Sequence, residues 1–146
     1  RQRQMCIRDS IPYELMLQDL GYTYETTYVA IRQVFQKIDS TYSGKKKGVF
    51  LSNDTYANIF LNLLFQKYGK LPEDYQIVGF DNSPIANEAI LPITTIGQQI
   101  DKIAKTAMEL LILQMDEMKK RKPIPLENPI HKQITPVLIR RETTDS

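Results

Sequence analysis

Amide and carboxylate side chains follow three predicted strands of this 146-residue chain, at the point where each strand ends. Asn53 and Asp54 come after the apolar residues 48–51, Asp81 follows residues 75–80, and Gln98 follows residues 93–96. A carboxylate accepts hydrogen bonds, whereas a carboxamide both donates and accepts them. Such a set suits vicinal hydroxyl groups, so we predict a site for a sugar, a polyol or a nucleoside.

Each of these residues also has a purely structural interpretation. Asn53 or Asp54 can cap a helix, and residues 81–84 (DNSP) have the composition of a turn. The coincidence at three consecutive strand ends favours a binding site, because ligands of open parallel sheets bind beyond the carboxyl ends of the strands.

The elements that must position these side chains alternate between helical and extended patterns. Apolar residues recur at helical spacing over residues 24–39, and a second helix is expected to end at Gly69, a residue typical of the C′ position. A short helix is predicted at residues 84–90 and a long amphipathic one from Ile100, followed by an extended run at residues 134–139. The pattern predicts an α/β fold with a parallel sheet covered by helices on both faces, in three layers.

Composition and length indicate one soluble globular domain or a large piece of one. Hydrophobic residues make up 42% of the chain and charged residues 25%. No stretch approaches the roughly 18 uninterrupted apolar residues of a membrane span, so no membrane partner is expected.

Residues 1–10 (RQRQMCIRDS) do not match the rest of the chain, and they read like a translated adapter from sequencing-library preparation. We predict that this segment is non-native and that residues 11–146 form the authentic domain. The only cysteine, Cys6, lies in the segment, so the remainder offers no disulfide and no thiolate ligand. The whole chain has 19 basic and 17 acidic residues; removing three arginines and one aspartate leaves 16 of each. A nucleic-acid-binding domain normally carries a basic excess, so DNA contact is not expected within residues 11–146.

Other kinds of site are poorly supported. His131 is the only histidine, and neither a phosphate-binding loop nor a nucleophile elbow is present, so we expect no metal, no cofactor and no catalytic residue. The lysines at 45–47 are interpreted as a solvated turn. One enzymatic alternative stays open: Asp54 and Asp81 could form a carboxylate pair that holds Mg²⁺.

Four segments resemble the LacI/GalR family of bacterial transcriptional regulators. They are FLSNDTYANIF at residues 50–60, LPEDYQIVGFDN at 71–82, LPITTIGQQIDKIAKTAMELL at 91–111 and ITPVLIRRETT at 134–144. The resemblance implies a periplasmic-binding-protein-like fold, of which this chain would supply the C-terminal lobe in truncated form. It also implies a cytoplasmic regulator whose DNA-binding head, a helix-turn-helix or a winged helix, lies outside this chain. Whether the effector induces or co-represses stays open.

Carried over by position, the resemblance assigns ligand contacts to Asn53, Asp81 and Gln98, with Asp54 beside them. The apolar position that packs against a sugar ring falls on Ile100, where an aromatic residue is common in sugar binders.

The second helix has apolar residues on more than one face, which favours a partner in addition to the sheet. The resemblance implies a two-fold homodimer formed by this helix and the segment around residues 86–90. The candidate interface residues are Tyr56, Phe60, Leu63, Ala86 and Ile90. The alternative is a helix that is simply buried on both sides within one chain.

A second functional alternative is a secreted sugar-binding protein that serves a transporter.

Overall fold

A computed structural model describes residues 23–119 and 130–144 of the chain. Residues 1–22, which include the predicted non-native segment, residues 120–129 and residues 145–146 lie outside this part. The described elements are α1 (Tyr24–Thr41), β1 (Lys47–Phe50), α2 (Asp54–Tyr68), β2 (Tyr75–Phe80), α3 (Pro84–Glu88), β3 (Thr94–Gly97), α4 (Ile100–Met118) and β4 (Val137–Ile139).

The helices begin and end where local chemistry satisfies their backbone groups. Thr23 and Thr26 form a reciprocal capping box at the start of α1. Asn53 caps α2 through a hydrogen bond from the Tyr56 amide, and Gly69 ends the helix at φ 72°. That left-handed conformation is inexpensive only for glycine, as the sequence predicted for Gly69.

The core lies between one face of the sheet and the pair α1–α2. Phe60 of α2 meets Phe35 of α1 edge to face, with the ring centroids 5.6 Å apart. On its other side, Phe60 lies 6.2 Å from the ring of Tyr75 in β2. The helix α2 is therefore buried on two sides within a single chain.

The sheet has the order β1-β2-β3-β4. The first three strands are parallel, as predicted, whereas β4 runs antiparallel to β3, with Gly97 opposite Val137. The parallel sheet that the sequence predicted is thus confirmed for β1 to β3, and the last strand is an antiparallel exception. The chain re-enters the sheet at the carboxyl end of β3, so β4 must run backwards along it.

The prediction that helices cover both faces also needs correction for the described residues. Phe50 and Leu138 lie on the face opposite α2 and are 62% and 51% exposed. The long helix α4 has the predicted apolar residues but buries none of them. The reason is that α4 leaves the sheet at the end of β3 and does not pack closely against it.

Candidate functional site

The three parallel strands end at one edge of the sheet, and the predicted site residues follow them there. Asn53 lies three residues beyond the end of β1, Asp81 directly after β2, and Gln98 directly after β3. All three residues therefore lie at the edge where the sequence predicted them, and the ligand site that they would form stays a prediction.

Asp81 and Gln98 are in direct contact. The side-chain amide of Gln98 donates a hydrogen bond of 2.7 Å from Nε2 to Oδ1 of Asp81. Both side chains are half-buried. Within residues 23–119 and 130–144, no hydrogen bond reaches Oδ2 of Asp81, which leaves this carboxylate oxygen available as an acceptor at the edge.

The turn that carries Asp81 has an uncommon backbone. Asp81 has φ 100° and Asn82 has φ 53°, both in the region that favours glycine. The Asp81 amide donates to the carbonyl of Ile96 in β3 at 2.9 Å, which fixes the start of the turn against the neighbouring strand. Left-handed conformations in residues other than glycine cluster at binding sites and persist only where their surroundings enforce them.

The two polar side-chain atoms of Asn53 have different roles. Its Oδ1 accepts the Tyr56 amide at 2.8 Å, so the capping interpretation of this residue is correct for that atom. Its Nδ2 has no hydrogen bond among the described residues and remains a donor at the edge. No direct contact joins Asn53 to Asp81 or Gln98.

Asp54, which was predicted as a ligand contact, is buried beneath the edge instead. It is 1% exposed, and both of its carboxylate oxygens accept hydrogen bonds from within the chain. The donors are the amide and hydroxyl of Ser83 (2.7 and 3.1 Å) and the hydroxyl of Thr95 (2.5 Å).

Ile100, by contrast, is the first residue of α4 and is 64% exposed. An apolar side chain is therefore available beside Gln98. Unlike an aromatic residue, Ile100 does not provide a flat surface on which a sugar ring could stack.

The structure also adds residues that the sequence analysis did not single out. The Arg141 guanidinium donates from Nη2 to Oδ1 of Asn82 at 2.8 Å and from Nη1 to the carbonyl of Ile93 at 2.9 Å. Thr95 accepts the Asn82 amide on Oγ1 at 3.3 Å. Arg141 and Thr95 lie inside two of the quoted motifs, but only the fold brings them to the turn.

Three of the five candidate dimer residues belong to the core of this chain. Phe60, Leu63 and Ala86 are buried within it. Tyr56 is half-buried, and Ile90 is 62% exposed. Packing of α1 against α2 accounts for the apolar breadth of α2, which was the alternative left open by the sequence.

A charged cluster helps to hold α1, α2 and β2 together. Asp39 accepts hydrogen bonds from the hydroxyls of Tyr68 (2.7 Å) and Tyr75 (2.8 Å), and it pairs with Lys67. Burial alone would raise the pKa of Asp39, but these donors bring it below its ordinary value. Burial and the neighbouring carboxylate raise the pKa of Tyr75 far above that of a free tyrosine.

A groove of about 350 Å³ lies at the opposite edge of the sheet. It is lined by residues that include Phe65, Leu71, Tyr75, Leu91 and Thr143, and it contains none of the predicted ligand residues.

The carboxylate-pair alternative is not supported by the geometry. Both oxygens of Asp54 are engaged by Ser83 and Thr95, so they are not available to share a cation with Asp81. Within the described ranges, no group of three or more His, Cys, Asp or Glu side chains is placed to hold a metal ion.

No helix in this part of the chain is both long and apolar enough to cross a bilayer.

Residues 3–144 match the family described as the periplasmic binding protein-like domain. The chain belongs to this family. The match spans nearly the whole chain, including the part before residue 50, where none of the four quoted motifs lies.

Curated proteins that are similar to this chain include repressors. The HTH-type transcriptional repressor PurR of Vibrio atlanticus is 26% identical over 111 residues, which are 76% of this chain and 32% of that protein. The ribose operon repressor of Halalkalibacterium halodurans is 32% identical over 97 residues, 66% of this chain and 27% of the repressor. The chain thus spans about a third or less of the length of these curated relatives.

Solved structures support the same fold. A transcriptional regulator CelR–cellobiose complex superposes with a TM-score of 0.71 at 21% identity, covering 97% of this chain and 40% of that one. A LacI family transcriptional regulator from Enterococcus faecium with bound ribose gives 0.64 at 23%, covering 97% and 48%. The predicted resemblance to LacI/GalR-type effector domains and the periplasmic-binding-protein-like fold are both confirmed.

Proposed function

We propose that this chain is the C-terminal, ligand-sensing part of a bacterial transcriptional regulator and that a sugar-like effector binds at the carboxyl edge of its sheet. The observation that carries the proposal is the hydrogen-bonded pair of Asp81 and Gln98 at that edge. The curated relatives are repressors, which favours a cytoplasmic regulator over a secreted transport protein and over an enzyme.

The polar atoms at the edge match a polyol. Oδ2 of Asp81 accepts, Nδ2 of Asn53 donates, and Gln98 presents a carbonyl oxygen beside the amide that holds Asp81. Vicinal hydroxyl groups need both donors and acceptors. The exposed Ile100 gives the apolar face of a sugar or nucleoside something to pack against.

Control of DNA would come from closure of two lobes. A ligand that bridges this edge and a second lobe binds the closed form better, and it shifts the population by that difference in affinity. The head that reads DNA would lie outside this chain. Two solved relatives that contain ligands, with cellobiose and with ribose, support a sugar as the effector.

A homodimer remains part of the proposal, with a smaller set of contacts. Phe60, Leu63 and Ala86 are already buried, so the surface would be formed around Tyr56 and Ile90. Ile90, an exposed branched residue, provides the apolar anchor.

Calorimetric titration of the full-length protein with D-ribose, cellobiose and adenosine tests the ligand site. Asp81→Asn should weaken binding of the recognised probe by about 10- to 100-fold, because a hydrogen bond to a charged group contributes roughly 1.5–3 kcal/mol. Asp116→Asn, on exposed α4 and paired with Lys119, is the matched control and should bind as wild type does. Wild-type affinity in Asp81→Asn, or no binding of any probe, would contradict the proposal.

Sedimentation equilibrium tests the dimer. Ile90→Glu should shift the protein towards monomer, because a charge buried at an interface without a partner is strongly unfavourable. Val29→Glu, at an apolar residue of α1 that is also exposed, should leave the dimer intact. Equal effects of the two substitutions would argue against an interface at Ile90.

A further inference from the structure

A buried carboxylate lies directly beneath the candidate site. Asp54 occupies the first position of α2 and is almost completely shielded from solvent. An ionised carboxylate in such a place is tolerated only when hydrogen bonds replace its lost hydration. Asp54 has three such bonds, and all of them come from segments that border the ligand edge.

These bonds hold two consecutive amides of the turn that follows β2. The Ser83 amide donates directly to Oδ2 of Asp54 at 2.7 Å. The Asn82 amide donates to Oγ1 of Thr95 at 3.3 Å, and the same hydroxyl donates to Oδ1 of Asp54 at 2.5 Å. One carboxylate thus restrains both residues that come immediately after Asp81.

The turn needs such restraint because it is not a relaxed conformation. The positive φ angles of Asp81 and Asn82 are unfavourable for side chains with a Cβ atom, so other contacts must enforce them. Asp54 acts from beneath the turn, and Arg141 holds the Asn82 side chain from the last segment of the chain.

Gly79 provides the space that Asp54 occupies. A Cβ atom at Gly79 would lie 2.3 Å from Oδ1 of Asp54, closer than any real contact. The absence of a side chain on β2 is therefore what lets the carboxylate reach the turn.

We propose that Asp54 is a positioning residue of the effector site: its carboxylate fixes the left-handed turn through Ser83 and Thr95 and so aims Asp81 at Gln98. The inference rests on the proposed function and adds that Asp54 acts without touching the ligand. It also ties the first turn of α2 and the start of α3 to the site through a single side chain.

The test uses Asp54→Asn in the full-length protein, with amide hydrogen exchange followed by NMR. Asparagine keeps the shape but not the charge, so exchange of the Ser83 amide should become at least tenfold faster. The Ile77 amide lies in β2 and donates to the Thr143 carbonyl, so its exchange rate should be unchanged. Affinity for the probe that wild type recognises, D-ribose, cellobiose or adenosine, should fall at least tenfold. Glu25→Gln, which removes an acid from the first turn of α1, controls for the helix-end charge.

Uniformly faster exchange at every amide would show a role in stability alone and would overturn the proposal, as would unchanged exchange at Ser83. If Asp54→Asn fails to fold, Thr95→Val removes the link to Asn82 with little change in volume. Exchange of the Asn82 amide should then rise at least tenfold, and no rise would overturn the proposal. If wild type binds none of the three probes, the proposed function fails, and the exchange measurement still decides whether Asp54 sets the turn.

Discussion

Replacing Gly79 with alanine should destabilise the fold by about 1.5–5.5 kcal/mol, a large effect for a single methyl group. The added Cβ would lie 2.3 Å from Oδ1 of Asp54 and 3.3 Å from Cβ of Ala57. An ordinary contact begins near 3.4 Å, so the carboxylate must retreat by about 1 Å. There is little room for that movement, because the added atom would also lie 3.3 Å from Cα of Asp54 and because Ala57 is fully buried.

The magnitude follows from what the retreat breaks. Overpacking of a dense core costs roughly 1–3 kcal/mol. Loss of one hydrogen bond to the buried Asp54 carboxylate adds about 1.5–3 kcal/mol, because the charge is left short of donors. Alanine returns roughly 0.4–1 kcal/mol by restricting the unfolded chain.

Urea unfolding followed by circular dichroism measures the effect, since the chain has no tryptophan. A midpoint shift of about 1–3 M is expected for Gly79→Ala. Gly48→Ala is the matched control: it is also a strand glycine, and a Cβ there would meet nothing within 4 Å. In an Asp54→Ala background, the cost of Gly79→Ala should shrink by more than about 1 kcal/mol. Equal midpoints for the two glycine variants, or full additivity with Asp54→Ala, would refute the reasoning.

Three further outcomes are expected. Phe60→Ala should cost about 3–5 kcal/mol in urea unfolding, whereas Phe50→Ala, at a largely exposed ring, should cost less than about 1.5 kcal/mol; similar costs would contradict the described core. Burial and Asp39 raise the pKa of Tyr75, so its contribution to stability is complete below about pH 10 and is lost as the pH rises further. The urea midpoint should therefore fall more steeply above pH 10 in wild type than in Tyr75→Phe, and parallel curves would argue against it. Gly69→Ala should destabilise the fold by about 1 kcal/mol, the cost of a strained helix end, and so lower the unfolding temperature; no change would exclude the left-handed cap.

The sequence predicted the elements well where local chemistry decides them. Strand β2 was predicted with its observed bounds. Helix α2 ends where the sequence predicted, with Gly69 as its left-handed cap. The alternation of strands and helices was enough for the α/β class and for the parallel order of β1 to β3.

Other features depend on tertiary contacts that no local pattern carries. The reversed direction of β4 depends on where the chain re-enters the sheet. The apolar breadth of α2 suits a dimer and a second intrachain helix equally well, and only the position of α1 distinguishes them. Asp54 and Asn53 are adjacent polar residues at a strand end, yet one is buried and the other half-buried; the difference comes from Gly79 on the neighbouring strand.

The exposed stripe of α4 has a consequence for energetics. The helix starts two residues after Gln98, and Ile100 in its first turn is 64% exposed, so a body that packs against this first turn would lie beside the polar edge where the effector is proposed to bind. If such docking changes the affinity for effector, the two binding events are thermodynamically linked. Any gain in effector affinity from docking must reappear, by reciprocity, as an equal strengthening of the docked contact when effector is present.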